Sequence, residues 1–180
     1  MIRKIFASTA LATVVAGTLF TGAGPASANA VGDTQGCTPG YWKNHTSVWQ
    51  EFTSTETLSQ MLHDQQGHWF TFPSALSGYG GLTMLQGLKL QGGPGVTGAA
   101  EILLRAGTAG MLNAAYDIVP DGSQGLFYPF RRFQDTTFNG VTYPALVPAI
   151  RNALNSLDRD TMINLATMID DANNLGCPLS

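Results

Sequence analysis

The chain has 180 residues, of which 12% are charged, against about a quarter in an ordinary soluble domain. Its net charge is −3, so it is not basic enough to track a nucleic-acid backbone, and it carries no long charge run of the kind found in disordered tails. Two cysteines, Cys37 and Cys177, are too few for a small multi-disulfide scaffold or a zinc ribbon.

Residues 1–28 read as a secretory signal. Arg3 and Lys4 form the positive start, Ile5 to Phe20 the apolar stretch, and Gly22, Gly24 and Pro25 break it. Ala26-Ser27-Ala28 fits the small-x-small cleavage pattern, and Ala28-Asn29-Ala30 fits it almost as well. The apolar run is shorter than the ~20 residues that span a bilayer, and no other segment reads as a span. Residues 29–180 then form a single secreted domain, with 7 basic and 12 acidic residues and a net charge of −5. Export places Cys37 and Cys177, which are 140 positions apart, in an oxidising compartment. An even count there favours a disulfide joining the two ends.

Cys37 to Trp49 is expected to begin as a turn and continue as a short helix, with Trp42, His45 and Trp49 on one face. Thr53-Ser-Thr-Glu56 has capping-box spacing for a helix carrying Leu58, Met61 and Leu62. Trp69-Phe-Thr-Phe72 alternates and meets Pro73, which allows at most a short edge strand. Leu82, Leu85, Leu88 and Leu90 suggest a brief helix inside a Gly-rich stretch, before the loop Gly92 to Gly95.

Thr97 to Tyr116 is the strongest predicted helix. Ala106, Gly110 and Ala114 repeat every four positions and permit close approach of another backbone, and Glu101 and Arg105 have i,i+4 pairing geometry. An aromatic loop, Phe127 to Phe133, follows. Asn139-Gly140 between Thr136–Phe138 and Val141–Tyr143 predicts a hairpin. A helix from Pro144 carries Leu146, Val147, Ile150 and Leu154; Asp158 caps a last one, and Gly176 stops it. The expected fold is mainly α: a single domain of four to five helices with one small hairpin, its ends joined by a disulfide.

All three histidines (His45, His63, His68) and all three tryptophans (Trp42, Trp49, Trp69) lie between residues 42 and 69. Tyr41, Trp42, His45, Trp49 and Trp69 form the candidate binding surface, since Trp and Tyr suit half-wet contacts with sugar or protein. His45, His63 and His68 are candidate zinc ligands, although a five-residue gap with Gly67 inside it does not stack His63 and His68 on one helix face. A hydrolase would draw on one of these histidines with an acid such as Asp64. Asp158, Asp160, Asp170 and Asp171 could offer oxygen to calcium, yet Asp158 and Asp160 already suit a helix first turn. Asn44-His-Thr46 is a glycosylation sequon. No nucleophile elbow, H-E-x-x-H or Lys-terminated phosphate loop occurs. No cofactor is therefore expected.

The run Gly36-Cys-Thr-Pro-Gly-Tyr-Trp-Lys-Asn-His45 resembles the opening motif of a group of uncharacterised secreted proteins, mainly actinobacterial and other bacterial, also fungal. Further matches to that group are Gly92 to Gly95, Ile102 to Ala106, Leu112 to Ala115, Asp158-Arg159 and Asn173 to Leu179. Gly107 and Gly110 depart from its Ala-rich helix. The resemblance implies export and the end-to-end cysteine pairing, and supplies no catalytic residue. The expected function is that of a secreted or cell-surface-associated, non-catalytic module binding an extracellular protein or glycan. The alternative is an extracellular hydrolase or metal-binding protein built on the three histidines.

Overall fold

The computed structural model describes residues 35–116 and 128–179. The segment read as a secretory signal and the start of the aromatic loop lie outside them. Thr38 begins the first helix, α1 (Pro39–Asn44): its side chain accepts from the Tyr41 N–H, and Pro39 stands where no intrahelical donor is needed. A 3₁₀ turn at Thr46–Val48 follows. Trp49 therefore lies beyond α1 and does not share a continuous helix face with Trp42 and His45.

Two one-turn helices come next, α2 (Leu58–Met61) and α3 (Met84–Gly87). Each starts with a complete capping box, Thr57 with Gln60 and Thr83 with Gln86, and the two cap residues pair in a single antiparallel bridge. The box expected at Thr53 closes a turn instead. Glu56 accepts from the Thr53 N–H at 2.6 Å, but the helix starts four residues later, where Leu58 and Met61 are buried. Residues 69–72 form no strand; Pro73 leads into a 3₁₀ helix at Ser74–Tyr79.

The long helix α4 (Gly95–Tyr116) is the axis of the fold, and every residue from Ala106 to Ala115 is buried. A helix covered on all sides needs no polar face, which explains its alanines and glycines. Its small residues let neighbours come close. A methyl group at Gly107 would stand 2.8 Å from Ile150, and one at Gly110 would stand 3.1 Å from Ile169 and 3.0 Å from the Tyr128 hydroxyl. Gly98 touches Gly93 so tightly that any side chain would meet the Gly93 carbonyl. Glu101 and Arg105 do not pair. Glu101 accepts from the Tyr79 hydroxyl and the Gly92 N–H, and Arg105 donates to the Leu90 carbonyl.

The hairpin β1 (Thr136–Phe138) and β2 (Val141–Tyr143) is antiparallel, with Thr136 opposite Tyr143. Asn139 and Gly140 both take positive φ, 49° and 78°, as a primed two-residue turn requires. Helix α5 (Leu146–Ser156) follows. Its first amides are satisfied from outside: Leu146 and Val147 donate to the carbonyls of Arg131 and Arg132, and Ala145 donates to Asp135. Leu157, at φ 51°, turns the chain, and Asp158 caps α6 (Arg159–Asn173) by accepting from the Thr161 N–H at 2.7 Å. Helix α6 lies along α4 in the most extensive helix–helix contact of the fold. The chain leaves α6 at Asn174, and Gly176 pairs with Gly36 in a one-residue bridge. The mainly α class, the single hairpin and the joined ends are as the sequence predicts.

The ends meet through several bonds. Cys37 and Cys177 form a disulfide, and the Tyr41 hydroxyl donates to the Leu179 carbonyl at 2.9 Å. Beneath them lies a buried polar cluster. Asn113 Oδ1, in the middle of α4, accepts from the Cys37 N–H (2.9 Å) and the Trp42 indole N–H (3.0 Å). Its Nδ2 donates to the Cys37 carbonyl (2.9 Å) and to Asn173 Oδ1 (2.8 Å). Asn173 also accepts from the Tyr128 hydroxyl and donates to the Ala106 carbonyl. Both asparagines are fully buried, and among the described residues no buried side-chain polar atom lacks a partner. The amide thus holds α1, α4, α6 and the segment at Tyr128 in one arrangement.

The titration of these groups predicts where stability fails. Burial pushes the Tyr128 phenol far above its ordinary value. The unfolded tyrosine ionises near pH 10 while the folded one cannot, so stability present below about pH 10 is lost as pH rises. Asp158 is held below the usual carboxylate range by its bonds to Thr161. Its contribution is present above about pH 4 and fades as pH falls further. Melting followed by circular dichroism should show a neutral plateau and losses at both ends. Asp158→Asn, which keeps a capping oxygen, should give a shallower acid limb than the parent chain.

Candidate functional site

The sequence-predicted site residues form no single exposed surface: Tyr41, Trp42, His45 and Trp49 contact one another, and Trp69 borders a different part of the molecule. Trp42 is fully buried under the Asn113 amide and belongs to the core. This corrects its placement on a binding surface: its indole N–H needed a buried acceptor, and α4 supplies one. Tyr41 stacks on His45 at 4.1 Å between ring centres, and Trp49 donates to the Trp42 carbonyl at 3.0 Å. Trp69 alone of the three tryptophans is well exposed, at 64%. It borders a separate depression of about 380 Å³ with Phe70, Phe72, Ser59 and Ser77.

The histidines are also apart, each tied to its own stretch of chain. One ring nitrogen of His45 bonds the Tyr41 carbonyl at 2.8 Å, one of His63 the Gln60 carbonyl at 2.9 Å, and one of His68 the Asp64 carboxylate at 3.1 Å. Among the described residues no three His, Cys, Asp or Glu side chains gather as a metal would require. Among the described residues Asp64 and His68 alone make a catalytic-looking pair. The ring of His68 is largely in solvent, and no hydroxyl or thiol bonds to it among the described residues.

Asp64 has a second role. Its Oδ1 accepts from the backbone N–H groups of Gln66 (3.0 Å) and His68 (2.9 Å), folding residues 64–68 into a tight turn with Gly67 at φ 84°. The His68 N–H is the main reason its carboxyl sits below the usual range. The turn faces α5 across a cleft of about 400 Å³, within the size range of small-molecule sites. Arg151 projects from α5 with Nη1 3.9 Å from Asp64 and 3.5 Å from the Leu62 carbonyl, and its guanidinium lies over the Phe70 ring. Asn152 and Asn155 stand beside it on the same helix, and Gln65 and Gln66 stand opposite. Phe133, Val147 and Pro148 supply the apolar part of the wall.

Sequence reasoning did not single out these amides. Asn152 and Asn155 are three apart, on the polar face of an amphipathic helix, where exposed polar residues are ordinary. Their meeting with residues 64–66 depends on tertiary packing across more than eighty positions. The buried Asn113 had a visible signal: one amide inside an otherwise apolar run, Met111 to Ala115. Comparison with protein-family models, with curated proteins and with solved structures gives no significant match. Among the described residues no helix is long and apolar enough to cross a membrane.

Proposed function

We propose that this chain is an exported, non-catalytic binding module whose ends are locked together outside the cell. The observation that carries the reading is the cleft, lined by side-chain amides and a paired guanidinium and carboxylate, groups that recognise a ligand rather than attack it. The disulfide between Cys37 and Cys177 supports an oxidising destination, in line with the secretory reading of residues 1–28. The resemblance to secreted proteins fits the same picture. Its opening motif contributes Cys37 and Trp42, its central helix Asn113 and its closing motif Asn173, and all four meet in the buried cluster. The motifs thus read as parts of a closure.

The rival reading, an extracellular hydrolase, draws on the Asp64–His68 pair. One experiment separates them. The chain, collected from the medium of a secreting host, is offered ester, peptide and glycoside substrates and, in parallel, arrays of glycans and extracellular proteins. Saturable retention without turnover is expected. Turnover that His68→Ala abolishes would overturn the proposal and assign the hydrolase.

A further inference from the structure

We propose that the cleft between the 64–66 turn and α5 binds a neutral saccharide unit, its hydroxyl groups meeting the amides of Gln65, Gln66, Asn152 and Asn155 and the guanidinium of Arg151. This rests on the binding-module reading and names the class of ligand it takes.

The hydrogen-bonding capacity of the cleft matches a polyol. Among the described residues none of the four side-chain amides bonds to another group, so each keeps its donor and acceptor atoms available. A sugar hydroxyl also donates and accepts. An array of amides therefore suits a polyol better than it suits an anion, which only accepts, or an ammonium, which only donates.

The charge at the cleft favours a neutral ligand. Arg151 and Asp64 stand 3.9 Å apart, so their charges largely cancel at the cleft. The Asp64 oxygens already accept three bonds, two from backbone and one from His68. Among the described residues the polar contacts of Arg151 are two long ones, at 3.5 and 3.9 Å, which leaves donors for a ligand oxygen. An anionic ligand would meet Asp64 beside that guanidinium.

The cleft of about 400 Å³ accommodates one or two hexose rings, and Phe133 and Pro148 offer apolar surface for the C–H face of a sugar. The site is half rigid before binding, because Asp64 pins the turn and Phe70 supports Arg151. Such preorganisation lowers the ordering cost of binding.

The test is saturation-transfer NMR on the secreted chain with maltose, cellobiose, N,N′-diacetylchitobiose and digalacturonate, extended by a glycan array. At least one neutral sugar should bind saturably, with little change between about 0.05 and 0.5 M salt. The double variant Asn152→Ala/Asn155→Ala should weaken binding by about tenfold or more. These residues are exposed, so its melting temperature should match the parent's. Trp69→Ala should bind as the parent does. Three results overturn the proposal: no sugar binds, digalacturonate binds best with steep salt dependence, or binding follows Trp69 and ignores the double variant. The binding-module reading survives each of these if the protein arrays retain the chain. Cleavage of a bound sugar would overturn that reading instead.

Discussion

Replacing both cysteines, Cys37→Ser with Cys177→Ser, is expected to lower the unfolding free energy by about 2–5 kcal/mol. The disulfide closes a loop across a sequence separation of 140 residues. In the chain-entropy model such a cross-link removes about 5 kcal/mol worth of freedom from the denatured ensemble. Stability of an ordinary domain is about 5–15 kcal/mol in total, so the loss is a large share of it. Urea unfolding provides the check. The midpoint should fall, the slope should steepen because the uncrosslinked denatured chain is more open, and the parent chain in reductant should follow the variant. Equal midpoints with and without reductant would show that the noncovalent contacts alone hold the ends.

Those contacts are themselves substantial, and Asn113 is their centre. Asn113→Ala is expected to lower stability by about 3–5 kcal/mol, the range in which buried hydrogen-bond networks fail. The substitution leaves the Cys37 N–H, the Cys37 carbonyl and the Trp42 indole N–H buried without this partner. It also opens a small void inside α4. Asn113→Asp should be no rescue, since it keeps the acceptor but loses the donor to Asn173 and to the Cys37 carbonyl and places a carboxylate in a dry site. Asn155→Ala, on the exposed face of α5, should stay within about 0.5 kcal/mol of the parent. Denaturant unfolding of the three variants decides this, and a loss under about 1 kcal/mol for Asn113→Ala would mean that water replaces the amide.

Much of the scaffold was legible where local chemistry and burial agree. The hairpin follows from Asn139-Gly140, the α6 start from Asp158, and α4 from its run of small and apolar residues. Legibility fails where two local signals compete. Thr53-x-x-Glu56 and Thr57-x-x-Gln60 have the same spacing, and in both a side-chain oxygen, carboxylate in Glu56 and amide in Gln60, accepts from the N–H of the cap residue. Only the second box is followed by Leu58 and Met61 in the core, so tertiary burial selects it. The tryptophans make the same point. Trp42 and Trp69 are the same residue type in the same aromatic segment, yet one is sealed under α4 and the other stands in solvent. The histidines were close in sequence and bond separately to their own local groups, because each short element orients its own side chains. The cleft was the least legible feature. Gln65 and Asn152 acquire a joint meaning only when α5 folds against the 64–66 turn.

We propose an exported chain closed by one disulfide. Its most direct test is intact mass and non-reducing peptide mapping of the chain expressed with its own N-terminal segment in a secreting host. Protein in the medium beginning at Asn29 or Val31, with a Cys37–Cys177 linked peptide and no free thiol, is the expected result. Full-length chain retained in the cells, with two free thiols, would contradict it.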